Sequence, residues 1–231
     1  MDDATRLQRI GKRAALEVPD GALVGLGTGS TADAMLVALA ARVRDGLRVT
    51  GVATSEATSL RAGSLGIPLV SIDEVEALDL CIDGADEIDP LINVVKGRGG
   101  ALLHEKLVAA RAARLVIIAS AEKLVSKLGT RLPLPVEIVP FGHTHTQRAI
   151  AAIGITPTLR LTTDGSPFVS DGRHYILDCE THGIADPDGM ARTLKAITGV
   201  VDHGLFVGMA SIALTVDDAG AITEHHAVVR S

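Results

Sequence analysis

The stretch "ALVGLGTGSTADAMLVALAARVR", residues 22–44, decides the fold. It opens with "ALVGL", an apolar run of strand length, and passes through a turn of glycines and hydroxyls, "GTGST". It then runs on as an alanine- and leucine-rich segment that suits a helix covering a sheet. A strand feeding a helix through a glycine turn is the first half of a parallel βαβ unit. The amides that open such a helix point outward and its dipole favours negative charge, so the turn is a candidate anion site. Gly27 and Gly29 permit close approach, while Thr28, Ser30 and Thr31 add hydroxyl donors. Gly27, Gly29 and Ala32 also fit the loose dinucleotide fingerprint. The next strand, however, lacks an acid at its tip to hold a ribose, and the hydroxyl-rich turn suits a single phosphate group. The plain alternative is a strand-to-helix turn with Ser30 or Thr31 as N-cap.

The same alternation extends on both sides. Residues 5–17 read as an amphipathic helix, with Leu7, Ile10, Ala14 and Val18 near helical spacing. Downstream, "RVTGVA" reads as a strand, "EATSLRAGSLG" as a helix, and "IPLVSI" and "LDLCI" as strands. "ALLHEKLVAARAA" reads as a helix, "RLVIIAS" as a strand and "AEKLVSKLG" as a short helix. This pattern predicts an α/β fold, a Rossmann-like open and mostly parallel sheet wrapped by helices. From about Pro133 the rhythm becomes β-α-β-β-α-β, the split ferredoxin-like order, over about 70 residues. The predicted organisation is a Rossmann-like domain from residues 1–132 and 204–231, carrying an inserted α+β ferredoxin-like module at 133–203. The tail, with a turn at "DDAG", is expected to return to the first sheet.

Composition narrows the function. Hydrophobic residues make up 47% of the 231 and aromatics only 2%, so the core must be built from Ala, Val, Leu and Ile. A net charge of −6 argues against a nucleic-acid partner, which needs a basic face. Small anions remain open, because a few aimed donors suffice for them. Cys81 and Cys179 sit inside apolar runs, as expected of thiols in a reducing cytoplasm rather than of a disulfide framework. The N-terminus lacks an apolar signal core and no apolar run approaches membrane-spanning length, so a soluble intracellular protein is expected.

Two further stretches carry chemistry. "CIDGADEID", residues 81–89, places four carboxylates in seven residues directly after a strand. Open α/β sheets bind ligands at that carboxyl edge, so Asp83 and Asp86 are expected to point inward, while Glu87 and Asp89 are as well placed to face water. A solvated turn is the competing account, since Asp-Gly and Asp-Pro are turn chemistry. "KGRGGALLHEK", residues 96–106, supplies a cation and a helix start. Lys96 is the natural partner of a developing oxyanion or of one of the aspartates. The neighbours of Glu105 at three and four positions are Ala101, Leu102, Val108 and Ala109, none of them basic, so an i,i+4 helix pair does not account for it. A carboxylate on the flank of an apolar helix is partly desolvated, which raises its pKa and makes it a better base. Lys123, three residues past a strand tip, joins the same rim as a candidate phosphate or substrate ligand, with an ordinary exposed surface lysine as the competing account. The histidines of "HTH" and "HH" lack metal-ligand spacing, and no metal is expected.

Together, "GLGTGSTA", "DGADEID", "KGRGGALLHEK", "LPLPVEIVPFG" and "GVVDHGLF" resemble, in order over nearly the whole chain, ribose-5-phosphate isomerases of the A type. The resemblance implies interconversion of ribose 5-phosphate and ribulose 5-phosphate without a cofactor, in the pentose phosphate pathway. It also implies that the Rossmann-like domain is catalytic and that the ferredoxin-like module is a lid or oligomerisation domain, in a homodimer or dimer of dimers. Carried over by position, the family's phosphate and sugar loop falls on Thr28, Gly29, Ser30 and Thr31, and its acidic loop on Asp83, Gly84, Ala85 and Asp86. Its glycine loop falls on Lys96, Gly97, Arg98 and Gly99, its catalytic glutamate on Glu105 and its later binding lysine on Lys123. Arg98 interrupts what is otherwise a run of glycines. A family lysine near the N-terminus has no counterpart here beyond the nearby Arg6 and Arg9. Two other classes compete: an amino-sugar phosphate deaminase, which would need a partnered histidine beside these loops, and a non-catalytic sugar-phosphate sensor.

Overall fold

A computed structural model describes residues 1–227. In chain order the first elements are α1 (Asp3–Ala15), β1 (Ala22–Leu26), α2 (Ser30–Arg44), β2 (Val49–Ala53), α3 (Glu56–Ser64) and β3 (Leu80–Gly84). They are followed by β4 (Glu87–Ile88), β5 (Val94–Val95), α4 (Leu102–Ala109), β6 (Leu115–Ser120), β7 (Leu134–Ile138), α5 (His143–Ala151) and β8 (Thr156–Leu159). The last are β9 (Tyr175–Glu180), α6 (Pro187–Lys195), β10 (Val200–His203), β11 (Leu205–Phe206), β12 (Ile212–Val216) and β13 (Ile222–His225).

The chain divides into two compact units. The first holds Met1–Ala85, His104–Lys123 and the segment from Met209 onward; the second holds Asp86–Leu103 and Leu124–Gly208. The second unit thus takes in more chain than the 133–203 insert read from the sequence. The reason is a three-stranded antiparallel sheet, β11-β5-β4, too short in each strand to show as a pattern. Glu87 on β4 also accepts hydrogen bonds from the backbone of Gly129, Arg131 (2.7 Å) and Leu132 (3.0 Å), which fastens 129–132 to the same unit.

In the first unit, six strands run in the order β13-β12-β6-β3-β1-β2. All neighbours pair in parallel except the β12–β13 hairpin. One side of this sheet is sealed by α1 and α2, which contribute Ile10, Ala14, Met35, Leu36 and Leu39 to a core shared with Val24, Leu26, Ile82, Val116 and Leu214. Each fully buried Val, Leu, Ile or Met side chain here contributes about 1.5–3 kcal/mol. With few aromatics available, contact comes from close approach instead: a Cβ on Gly11 would lie 2.5 Å from the Ala34 backbone, so α1 and α2 meet backbone to backbone. The strand expected at "IPLVSI" does not form. Pro68 has no N–H for a ladder, and a single bridge, Gly51 to Leu69, is all that joins this segment to β2 before a capped 3₁₀ turn at Ile72–Glu74.

In the second unit, four antiparallel strands run β10-β7-β9-β8, with α5 and α6 supplying Ile150 and Leu194 to their core. This is the ferredoxin-like order expected from the β-α-β-β-α-β reading. The helix expected at "AEKLVSKLG" is reduced to a 3₁₀ turn, Ala121–Lys123. Beyond it, Leu124 bridges Ile88 and the Val125 amide donates to Ile88, so strand-type pairing and the Glu87 anchor take the backbone groups that a helix would have used. Among the described residues, no helix is long and apolar enough to cross a membrane.

Candidate active site

In the first unit the site begins where the strand order reverses. β1 lies between β2 and β3, so the loops leaving β1 and β3 part at the carboxyl edge, where open parallel sheets bind ligands. Gly29 takes φ +106°, open to glycine and costly for other residues, and stands as N-cap to the fifteen-residue α2 with no side chain capping it. The plain account with Ser30 or Thr31 as N-cap therefore falls, and no side chain caps the first-turn amides of α2. Ser30 is exposed and Thr31 half-buried beside them.

Thr28 turns its hydroxyl the other way. Its Oγ1 meets Thr54 Oγ1 at 2.8 Å, Ser55 Oγ at 2.9 Å and Thr58 Oγ1 at 3.0 Å. Thr58 in turn donates to the Gly27 carbonyl at 3.1 Å, and Thr54 to the Leu26 carbonyl at 2.9 Å. This hydroxyl cluster lies under the loop and holds its backbone. "VATSEATS" shows the three hydroxyls, but their meeting with Thr28 depends on β1 and β2 being neighbours.

Asp83, at the end of β3, is 1% exposed. Its Oδ1 accepts from the Thr28 amide at 3.1 Å and from the Gly84 amide at 2.7 Å. A Cβ on Gly27 would sit 2.3 Å from that oxygen, so only glycine lets the two loops close on each other. Gly84 and Ala85 follow, half-buried. Glu105 occupies the first turn of α4 and is 4% exposed. Val108, one turn on along the same helix face, packs where Gly25 lacks a side chain: a Cβ there would be 2.6 Å from Val108 Cγ1. Lys123 is half-buried at the end of its 3₁₀ turn. Arg6 is committed to Asp3 at 2.9 Å and to Asp218.

In the second unit, the glycine turn carries the remaining expected residues. Lys96 is 3% exposed, its backbone amide donates to the Gly204 carbonyl at 2.8 Å, and its Nζ lies 5.7 Å from the centre of the Phe206 ring. Gly97 takes φ +103°. Half-buried Asp86 accepts from the Arg98 amide at 3.0 Å. Arg98 and Gly99 are exposed, and Arg98 helps to line a cavity of about 360 Å³ with Asp86, Arg160, Asp178, Pro133 and Pro135. Glu87 and Asp89, read as equally able to face water, are buried and structural. Glu87 holds residues 129–132, and Asp89 closes its own turn by accepting from Leu91 and Asn93.

Residues 50–220 match the family described as Ribose 5-phosphate isomerase A (phosphoriboisomerase A). The chain belongs to this family. It is 51% identical over 227 residues to the Ribose-5-phosphate isomerase A of Roseiflexus sp. (strain RS-1), covering 97% of each. Among solved structures it matches ribose 5-phosphate isomerase A from Methanocaldococcus jannaschii at a TM-score of 0.93 and 32% identity, covering 97% of this chain and 100% of that one. It also matches a D-ribose-5-phosphate isomerase in complex with phospho-erythronic acid, at a TM-score of 0.94 and 30% identity, covering 98% and 100%. The Rossmann-like α/β reading agrees with these isomerase structures.

Proposed function

We propose that the protein interconverts D-ribose 5-phosphate and D-ribulose 5-phosphate, an aldose–ketose isomerisation through an enediolate, in the non-oxidative pentose phosphate pathway. The observation that carries the mechanism is Glu105, a carboxylate 4% exposed in the first turn of α4, in a chain of this family. As general base it takes the proton from C2 of the open-chain aldose and returns it to C1. The two carbons are adjacent, so one carboxylate serves both. A placed base of this kind contributes about 10²–10⁴ in rate.

The other residues take roles suited to their surroundings. Lys96 stabilises the charge that develops on the sugar oxygens, with the Gly99 amide assisting; loss of one such donor costs on the order of 3 kcal/mol. Asp83 and Asp86 orient hydroxyls and carry protons during ring opening and between O1 and O2. The uncapped start of α2, with Ser30 and Thr31, binds phosphate together with Lys123. Phosphate binding, remote from the reacting carbons, holds C1 and C2 against the base. Thr28 holds the turn in shape: its hydroxyl faces the cluster of Thr54, Ser55 and Thr58 and its amide donates to Asp83.

The same reading places the enzyme in a reducing cytoplasm, consistent with the burial of Cys81 and Cys179 inside apolar strands. It assigns residues 133–203 a role in assembly as a homodimer or dimer of dimers, supported by exposed Phe141 (93%), Leu161 and Val169. The test is a coupled assay for ribulose 5-phosphate from ribose 5-phosphate, run with and without chelator. Turnover under both conditions is expected. Tight sugar-phosphate binding with no ketose formed, or ammonia released from glucosamine 6-phosphate, would contradict the assignment.

A further inference from the structure

Arg160 follows β8 and is anchored through its backbone on both sides: its amide donates to the Ile176 carbonyl at 2.8 Å and its carbonyl accepts from the Phe168 amide at 2.9 Å. Its side chain, 15% exposed, forms a fork on Asp178 of β9, with Nε 2.9 Å from Oδ2 and Nη2 bonded to Oδ1. That pairing leaves Nη1 for another task. It donates to two successive carbonyls of the glycine turn, Gly97 at 3.1 Å and Arg98 at 3.0 Å. Phe168 completes the arrangement. Its ring lies 5.8 Å from the guanidinium carbon and fills the place of a Gly100 side chain, where a Cβ would be 2.4 Å from Cζ.

A trans peptide is planar, so holding its carbonyl also fixes its N–H on the opposite side. The peptide joining Gly97 to Arg98 is held at both ends, its carbonyl by Arg160 and its N–H by Asp86. The next peptide has its carbonyl on Arg160, so the Gly99 N–H is turned away from the guanidinium. Glycine-rich turns are free to flip such peptides, and here two flips are blocked by one side chain.

We infer that Arg160, oriented by Asp178, is a positioning residue for the isomerisation: it sets the peptide planes of 97–99 and so aims the Gly99 amide and the Asp86 carboxylate. This rests on the reading that the Lys96 turn serves the substrate. Arg160 itself touches no substrate in this account, and a lysine in its place offers one donor point for the tasks of a planar fork.

The test compares Arg160→Ala, Arg160→Lys and Lys96→Met in the full chain, measuring kcat, KM and melting temperature, with and without millimolar guanidinium. Misplaced catalytic groups cost about 10²-fold in rate, and Arg160→Ala is expected to lose kcat on that scale while KM moves little. Guanidinium, entering the cavity that Arg160 vacates, should restore part of kcat to Arg160→Ala and nothing to Lys96→Met. Arg160→Lys should fall between parent and Arg160→Ala. If Lys96→Met loses turnover while Arg160→Ala keeps it, the positioning role alone is refuted. If Arg160→Ala loses kcat only in proportion to folded protein and guanidinium restores none, Arg160 is structural and the inference fails. If Lys96→Met turns over normally, the reading of the turn itself fails, and this inference with it.

Discussion

The glycine turn at 27–31 and the glycine turn at 96–100 differ in where their restraints originate. The first is held by the sheet that produces it: the Thr54, Ser55 and Thr58 hydroxyls follow the neighbouring strand β2, and Asp83 ends the other neighbour, β3. The second is held by Arg160, which lies 63 positions from Gly97, just past β8 in the second unit. A parallel βαβ pattern dictates which strands adjoin β1, so the first set of restraints comes with the fold. Nothing in that pattern says which residue of an inserted module will clamp a turn.

This contrast can be broken by substitution. The largest expected effect is at Lys96, the cation of the second turn: Lys96→Met should lower kcat on the order of 10²–10³ in steady-state assays, the cost of one oxyanion donor. Gly27→Ala should come next. Its methyl would meet Asp83 Oδ1 at 2.3 Å, and such overpacking costs about 1–3 kcal/mol, read as a lower melting temperature together with reduced turnover. Gly99→Ala sharpens the contrast, because nothing lies within 4 Å of its Cβ position, and its melting temperature should match the parent's. Thr58→Val removes one hydroxyl from the cluster under the first turn at a cost of about 1 kcal/mol, and should raise KM without a matching fall in kcat.

The smallest effect concerns the thiols, one in each unit. Burial pushes the Cys179 thiol up to about 12, and Cys81 is fully buried in the six-stranded sheet. A thiolate-seeking reagent at mildly alkaline pH should label neither in the native protein. Rapid labelling of Cys179 alone would show that the second unit opens independently of the first.

Legibility followed the same division. The strand, turn and helix of 22–44 and the β-α-β-β-α-β order were readable because apolar periodicity and glycine punctuation report local structure. Two-residue strands are not periodic, so β4, β5 and β11 were invisible, and with them the chain outside 133–203 that joins the second compact unit. "IPLVSI" carried a strand composition that Pro68 overrode, and "AEKLVSKLG" carried a helical one that the anchor at Glu87 overrode. The burial of Glu87 had no local signal, whereas Asp83 and Glu105 were marked by a strand tip and by an acid without basic helix neighbours. Arg160 and Asp178 read as ordinary strand residues, because their meaning lies in a contact across sequence.

The most direct test of the account is Glu105→Gln, followed by exchange of the C2 hydrogen of ribose 5-phosphate with solvent deuterium while binding is measured by calorimetry. Exchange and turnover should fall together, by about 10²–10⁴, with affinity for the sugar phosphate nearly intact. A variant that still exchanges and isomerises at close to the parent rate would contradict it.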